Sequence, residues 1–346
     1  MDRRFELASR STTRLVVGAD VEARLPALLR EAGATGIVVV HDEALTALAA
    51  RIAAPLDAPC LPVPSGEAAK DLRHLAVAAE RLRELGADRG TTLLGLGGGA
   101  TTDFAGFLAA VWLRGVPFVA CPTTTLAACD AALGGKNGVD LGGRKNEIGT
   151  IRQPILVAAD VGWLTTLPDA AWRQGFVEAI KMAAVLDATN FARLELFAER
   201  LAARDAAAAT AAIEMAVVMK MAVVQDDEHE ADRRRWLNFG HTIGHAIESL
   251  AAGALRHGEC VAIGMLAECR AAGAPPAVVE RLERALLALG VPTRCPPKFA
   301  DAARLWPFAA MDKKARGGEV PMIVPFAIGA GRPVTLTPAG LAAALR

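Results

Sequence analysis

Residues 91–154 read TTLLGLGGGATTDFAGFLAAVWLRGVPFVACPTTTLAACDAALGGKNGVDLGGRKNEIGTIRQP, and the fold turns on how this stretch is parsed. Leu93 to Leu96 is a short apolar run with the length and bounding of a buried strand. Gly97, Gly98 and Gly99 follow, and then a helical pattern from about Thr102 to Leu113. Strand, glycine turn and helix start together make an anion cradle. Glycines let backbone N–H groups approach a phosphate, and the helix dipole adds partial positive charge. GLGGGA also fits G-x-G-x-x-A, the dinucleotide fingerprint. That fingerprint normally sits on a first strand with an acid about 20 residues further on, and here Pro117 to Thr123 holds none. A plain packing turn is the competing reading.

Downstream, GGK at Gly134 to Lys136 is followed by Asn137, Asp140 and GGRKN at Gly142 to Asn146. Lysines flanked by glycines, with asparagine amides beside them, suit a loop that grips a polyhydroxylated, phosphorylated molecule. The alternative is a solvated basic loop.

Upstream, strand-like and helical runs alternate. Arg14 to Gly18 and Gly36 to Val40 read as strands, Ala23 to Ala32 as an amphipathic helix, and Leu61 to Pro64 as a further strand leading to a helix that ends near Leu85. Such alternation predicts a parallel sheet wrapped by helices, a Rossmann-like α/β domain over residues 1–160. Ligands of these sheets bind beyond the carboxyl ends of the strands. Asp42 stands at one such end, Glu67 and Lys70 after another, and the triple glycine at a third, outlining a nucleotide crevice.

Composition bounds the rest. The chain has 346 residues, 53% hydrophobic and 22% charged, which fits a globular protein of two domains and excludes a disordered one. Lys and Arg total 38 and Asp and Glu total 38, so there is no basic excess for nucleic acid or an anionic membrane. The six cysteines show no C-x-x-C pair and no disulfide framework, which points to a reducing cytoplasm. The N-terminal residues lack the apolar core of a signal peptide, and no apolar run reaches the ~18 residues of a membrane span.

From Pro168 onward the pattern is Ala-rich with helical period until Val320 to Val324, so a second, all-α domain is expected over residues 161–346. Glu178 and Lys181 are i, i+3 on one helix face. His241 and His245, in NFGHTIGHAIE, are i, i+4, a spacing that binds zinc, and His257 follows in RHGECVAIGM. Spacing alone makes both His241 and His245 metal ligands, with Glu178 and His257 as further candidates.

These landmarks resemble the 3-dehydroquinate synthase family of sugar-phosphate cyclases. The motifs stand in the family's order: GGG…D at 97–103, FLAAVWLRG with Arg114, PTTTLAACD ending at Asp130, GGKNGVD, GRKNEIG, GFVEAIK, LNFGHTIGHAIE, HGECVAIGM and DKK at 312–314. The resemblance implies an NAD-binding α/β domain, an α-helical metal-binding domain, a homodimer, and conversion of 3-deoxy-arabino-heptulosonate 7-phosphate to 3-dehydroquinate. It assigns zinc or cobalt to Glu178, His241 and His257, and leaves His245 as an acid/base or substrate-contacting group. NAD oxidises a substrate hydroxyl transiently, phosphate leaves by β-elimination, the hydride returns, and an intramolecular aldol closes the carbocycle. By the same resemblance Arg114, Lys136, Lys145, Lys181, Lys220, Arg234 and Lys313 or Lys314 meet the anionic substrate, with Asn146 and Asn238 adding hydrogen bonds and Asp130 orienting. Asp42, Glu67, Lys70, Gly98, Gly99, Asp103, Thr123 and Lys145 are implied on the NAD side.

Three positions depart from the family pattern: Thr102 in place of glycine, Asn137 in place of threonine, and Met182 where an aromatic often stands. They leave open another cyclase, of the amino-dehydroquinate, valiolone or deoxy-inosose type. A metal-dependent polyol dehydrogenase is disfavoured, because a simple polyol needs no such set of lysines.

Overall fold

The structure is a computed structural model describing residues 1–9, 11–142, 144–310 and 319–345. Its first half alternates as expected: β1 (Asp2–Glu6), β2 (Thr12–Gly18), α1 (Val21–Glu31), β3 (Thr35–Asp42), α2 (Thr46–Ala53), β4 (Cys60–Val63), α3 (Leu72–Glu84), β5 (Thr91–Gly97), α4 (Gly99–Val111), β6 (Phe118–Pro122), the hairpin β7 (Lys136–Leu141) and β8 (Arg144–Ile151), and β9 (Leu156–Asp160). Seven strands form one sheet in the order β1-β2-β9-β6-β5-β3-β4, parallel except for β1. Every residue of β5, β6 and β9 is buried, which is why they read as continuous apolar runs rather than as alternation. Val39, Leu94, Leu96 and Val119 pack there with Leu25, Leu29 and Ile52 of α1 and α2.

The connections leave β3 and β5 in opposite directions, one toward β4 and one toward β6. Such a reversal opens a crevice at the carboxyl edge, and Asp42 and Gly97–Gly99 end the two strands that flank it. The helix after the glycines begins at Gly99, not Thr102, and stops at Val111. It stops because Leu113 and Arg114 take left-handed φ values of 48° and 70°.

The GGK and GRKN segments are not a loop. They are the antiparallel pair β7–β8, with Gly138 opposite Gly149. A side chain at either glycine would meet the other strand's backbone, at 2.9 Å from Ile148 O and 2.8 Å from Asn137 O. A hairpin this close needs glycine, and glycine hides it from β propensity.

Two compact units emerge: Met1–Leu167 with Val224–His229, and Pro168–Val223 with Glu230–Arg346. The division falls after Leu167 rather than at 160. Asp160 accepts hydrogen bonds from Gly162 N and Glu22 N, and Trp163 packs in the sheet's core, so the turn after β9 stays with the sheet. Val224–His229 belongs to the first unit because buried Glu228 accepts from Ser9 N at 2.8 Å, Ser9 Oγ at 2.9 Å and Gln153 Nε2 at 3.2 Å.

The second unit comprises α5 (Asp169–Leu186), α6 (Ala188–Ala202), most of α7 (Ala206–Asp226), α8 (His241–Ala251), α9 (His257–Ala271), α10 (Pro276–Ala288), α11 (Ala302–Ala310), the hairpin β10 (Val320–Ala327) and β11 (Ala330–Leu336), and α12 (Pro338–Ala344). That hairpin is the one departure from an all-helical unit among the described residues. Contrary to the expectation that no apolar run is long enough, helix α7 has the length and composition to span a membrane, with a mean hydropathy of 1.8. Its most apolar window is 67% buried inside the protein, as in a core helix.

Candidate active site

Within the second unit, α5, α8 and α9 bring a carboxylate and three imidazoles together. Glu178, 0% exposed, sits mid-α5. Its Oε1 lies 3.8 Å from His241 Nε2 and 3.5 Å from His257 Nε2, and its Oε2 forms an ion pair with the buried Lys181. Neither Glu178 oxygen has a hydrogen-bond partner of acceptable geometry among the described residues. A buried carboxylate left so is costly, and a cation at this position would satisfy it. His241, His245 and His257 offer ligand nitrogens all within 4.8 Å of one another. The rings of His241 and His245 are 4.9 Å apart and those of His245 and His257 are 5.6 Å apart.

The imidazoles are not equivalent. His257 Nδ1 is held by Glu248 at 2.9 Å, and His241 Nδ1 lies 3.3 Å from Phe239 O, so both point Nε2 at Glu178. A carboxylate behind a histidine fixes ring and tautomer for metal binding. His245 is the exposed member. Burial opposes protonation of His257, but the carboxylates of Glu178 and Glu248 raise it to about 9. Burial and the Lys181 charge push His241 well below the ordinary value, and desolvation and His257 lower His245. Burial alone would raise Glu178, yet Lys181, His241 and His257 hold it well below the usual carboxylate range. The donor set fits a divalent metal.

Lys220 on α7 and Arg234 in the 3-10 turn Arg233–Asn238 are buried, and Asn238 ends that turn. Lys313 and Lys314 lie outside the described residues.

In the first unit the carboxyl edge carries the other cluster. Lys70 Nζ donates to Asp103 Oδ2 at 2.9 Å and closely to Asn146 Oδ1, and Lys145 Nζ lies 3.8 Å from Glu67 Oε1. Glu67, Lys70, Asp103, Lys145 and Asn146 are thus neighbours, from three separate elements: the 3-10 turn Gly66–Lys70, α4 and β8. Asp42 Oδ1 accepts from Ser65 Oγ at 2.5 Å and Ala44 N at 3.0 Å, tying β3 to the turn after β4. Thr123 N donates to Gly97 O at 2.8 Å, locking β6 to the glycine turn. Arg114 stands in the left-handed turn after α4, Asp130 in the π-helical turn Ala127–Ala131, and Lys136 at the start of β7.

The glycines themselves serve close packing as well as any cradle. A Cβ at Gly97 would be 2.5 Å from Thr101 Cβ, and one at Gly99 would be 2.9 Å from Ala131 Cβ. Gly98 has φ −72°, so no left-handed residue is needed, and α4 begins with no side-chain cap, which leaves its first N–H groups open to an anion.

Two of the departures resolve into packing. Thr102 is buried, with its hydroxyl bonded to Gly99 O at 3.0 Å, inside its own helix. Asn137 Nδ2 donates to Gly135 O at 2.8 Å and Arg152 O at 2.9 Å, stapling the base of the β7–β8 hairpin. Asn137→Ala is expected to lower stability by about 1–3 kcal/mol through these unmet carbonyls, read as a lower urea midpoint; an unchanged midpoint would contradict the staple. Glu248, whose role depends on its contact with His257 nine residues away, carries no local sequence signal.

Known proteins resemble this chain in sequence and fold. Family models described as 3-dehydroquinate synthase N-terminal and C-terminal match residues 60–174 and 175–315. A 2-deoxy-scyllo-inosose synthase, solved with carbaglucose-6-phosphate, NAD+ and Co2+, superposes with a TM-score of 0.88 at 25% identity, covering 100% of this chain and 99% of that one. A 2-epi-5-epi-valiolone synthase from Streptomyces hygroscopicus subsp. jinggangensis 5008, solved with NAD+ and Zn2+, gives 0.85 at 28% identity over 96% and 95%. The fold is therefore that of the sugar-phosphate cyclases. Within that class, the 3-dehydroquinate synthase of Pyrobaculum neutrophilum is 37% identical over 345 residues, 96% of this chain and 93% of the relative. The chain belongs to the 3-dehydroquinate synthase family.

Proposed function

We propose that the chain converts 3-deoxy-arabino-heptulosonate 7-phosphate to 3-dehydroquinate and phosphate, using NAD and a divalent metal. The observation that carries the metal is the buried Glu178 carboxylate, facing the Nε2 atoms of both His241 and His257. Those three residues would hold zinc or cobalt, which supplies Lewis acidity at a hydroxyl oxygen, while NAD at the carboxyl edge of β3 and β5 supplies a temporary hydride acceptor. This choice of ligands replaces the His241–His245 pair suggested by spacing, because His245 is exposed and Glu178 is aimed at the other two.

The chain's own groups do the rest. Lys181 keeps Glu178 ionised by its buried positive charge. His245, with its lowered affinity for protons, is a neutral imidazole able to take or return one at a ring nitrogen. Lys136, Lys145, Arg114, Lys181, Lys220 and Arg234 supply the cations that a phosphate and a carboxylate require in a chain of zero net charge. Asn146 and Asn238 supply amides for hydroxyls, Asp130 orients, and Asp42, Glu67, Lys70, Asp103 and Thr123 serve the nucleotide. A homodimer and a cytoplasmic location belong to the same reading.

Phosphate release from that substrate, with NAD and zinc present and product followed by mass, tests the reading. Stoichiometric phosphate and dehydroquinate without net NADH are expected. A metal-loaded, NAD-binding protein that releases no phosphate would sink it. The identity of 37–41% to 3-dehydroquinate synthases, against 25–28% to the two other cyclases, favours the carboxylated substrate. The inward-facing Thr102 and Asn137 supply no reason to replace it.

Lys136→Ala should lower kcat/KM by roughly 10–100-fold through loss of a charge-assisted contact; unchanged kinetics would remove β7 from the substrate grip. Exhaustive chelation should abolish turnover, and added Zn2+ or Co2+ should restore it. Full activity in metal-free protein would contradict the ligand set.

A further inference from the structure

Helix α8, which carries His241 and His245, begins with no side-chain cap of its own. Its N-cap residue is Gly240, in the left-handed region at φ 81°, where a Cβ would lie 2.5 Å from Met265 Cγ and 3.0 Å from Val261 O. No Ser, Thr or Asp can stand there, so the cap has to come from elsewhere. It comes from α9. Glu268, 0% exposed, accepts from Gly240 N with Oε2 at 2.7 Å and from Ile243 N with Oε1 at 3.0 Å. One carboxylate thus bridges donors on both sides of His241.

The same helices are pressed together by glycine. A Cβ on Gly264 would lie 2.1 Å from Gly240 O, and one on Gly244 would lie 3.0 Å from Cys260 O. Glu268 is therefore bound to a segment that has no room to slide, and that segment contains His241. Burying a carboxylate is costly, and an apolar residue there would instead leave the Gly240 and Ile243 N–H groups unmet. What the carboxylate adds is a fixed depth and rotation for the first turn of α8 relative to α9, the helix that bears His257.

We infer that Glu268 is a positioning residue of the metal site: it sets His241 against Glu178 and His257 through the α8 backbone, touching neither metal nor substrate. The inference rests on the metal reading above. The test is Co2+ binding to the full chain without NAD, by chelator competition, together with the visible Co2+ spectrum and thermal unfolding. Glu268→Gln keeps the shape but turns an amide N–H2 toward one backbone donor; Glu268→Asp keeps the charge but shortens the reach. Either variant should bind Co2+ roughly 10–100-fold more weakly, with an altered spectrum. A folded variant of either kind with wild-type affinity and spectrum, even with a lower Tm, would make Glu268 a stability element only and overturn the inference. Failure of the wild type itself to bind Co2+ would overturn the metal reading first.

Discussion

Glu178→Gln is expected to reduce turnover by about 1,000-fold or more while leaving NAD binding largely intact. The change is nearly isosteric, so its effect is electrostatic. The carboxylate is the only anion between the Nε2 atoms of His241 and His257, at 3.8 and 3.5 Å, among the described residues. Loss of an outer partner of a metal site costs ~10–100-fold, and loss of a charged ligand should exceed that. Lys181, buried in an ion pair with Glu178, is left facing a neutral amide. Breaking such a pair costs on the order of 3–5 kcal/mol, so a lower Tm should accompany the loss of metal. His257 loses one of the two carboxylates that raise it to about 9 and should titrate lower. Metal content, nucleotide binding and steady-state rates decide the matter. Equal loss of NAD binding, or full retention of metal, would mean that Glu178 is not a ligand.

Gly264→Ala should be among the most damaging single methyl additions at the described glycines. Its Cβ would sit 2.1 Å from Gly240 O, 2.7 Å from Gly244 N and 2.9 Å from Gly244 Cα, all backbone atoms that cannot rotate away. Overpacking in a core ordinarily costs about 1–3 kcal/mol; a methyl driven into three backbone atoms belongs at or beyond the top of that range. Helix α8 would have to move off α9, carrying His241 with it, so metal affinity and stability should fall together. Gly253→Ala is the matched control. Unlike helical Gly264 it has a left-handed backbone, φ 89°, but nothing lies within 4 Å of its Cβ, so its cost is the ~1–2 kcal/mol of left-handed strain alone. Urea denaturation of the pair reads the difference directly. Equal midpoints would show that the α8–α9 contact is looser than described.

Much of this protein follows from the order of its residues. The buried strands around Leu93–Leu96 are legible because a strand covered on both faces must be apolar throughout. The histidines and Glu178 are legible because chemistry restricts which residue types can serve, and because the motifs recur in a family. Helical spacing, however, places His241 and His245 on one face and is silent about α5; only the packing of three helices shows that Glu178 faces the Nε2 atoms of His241 and His257. The β7–β8 hairpin escaped because Gly138 and Gly149 are chosen for close approach of two backbones, a requirement with no local signature. Asn137 reads as a ligand group in one dimension and proves to be a staple in three. Glu268 reads as an ordinary helical glutamate, since its donors at Gly240 and Ile243 lie 28 and 25 residues away in the chain. Local pattern determines which segments are strand or helix and which residues are capable of chemistry. Tertiary structure decides which of those residues face one another, because burial and hydrogen bonding pair groups by distance in space, and sequence separation does not report it.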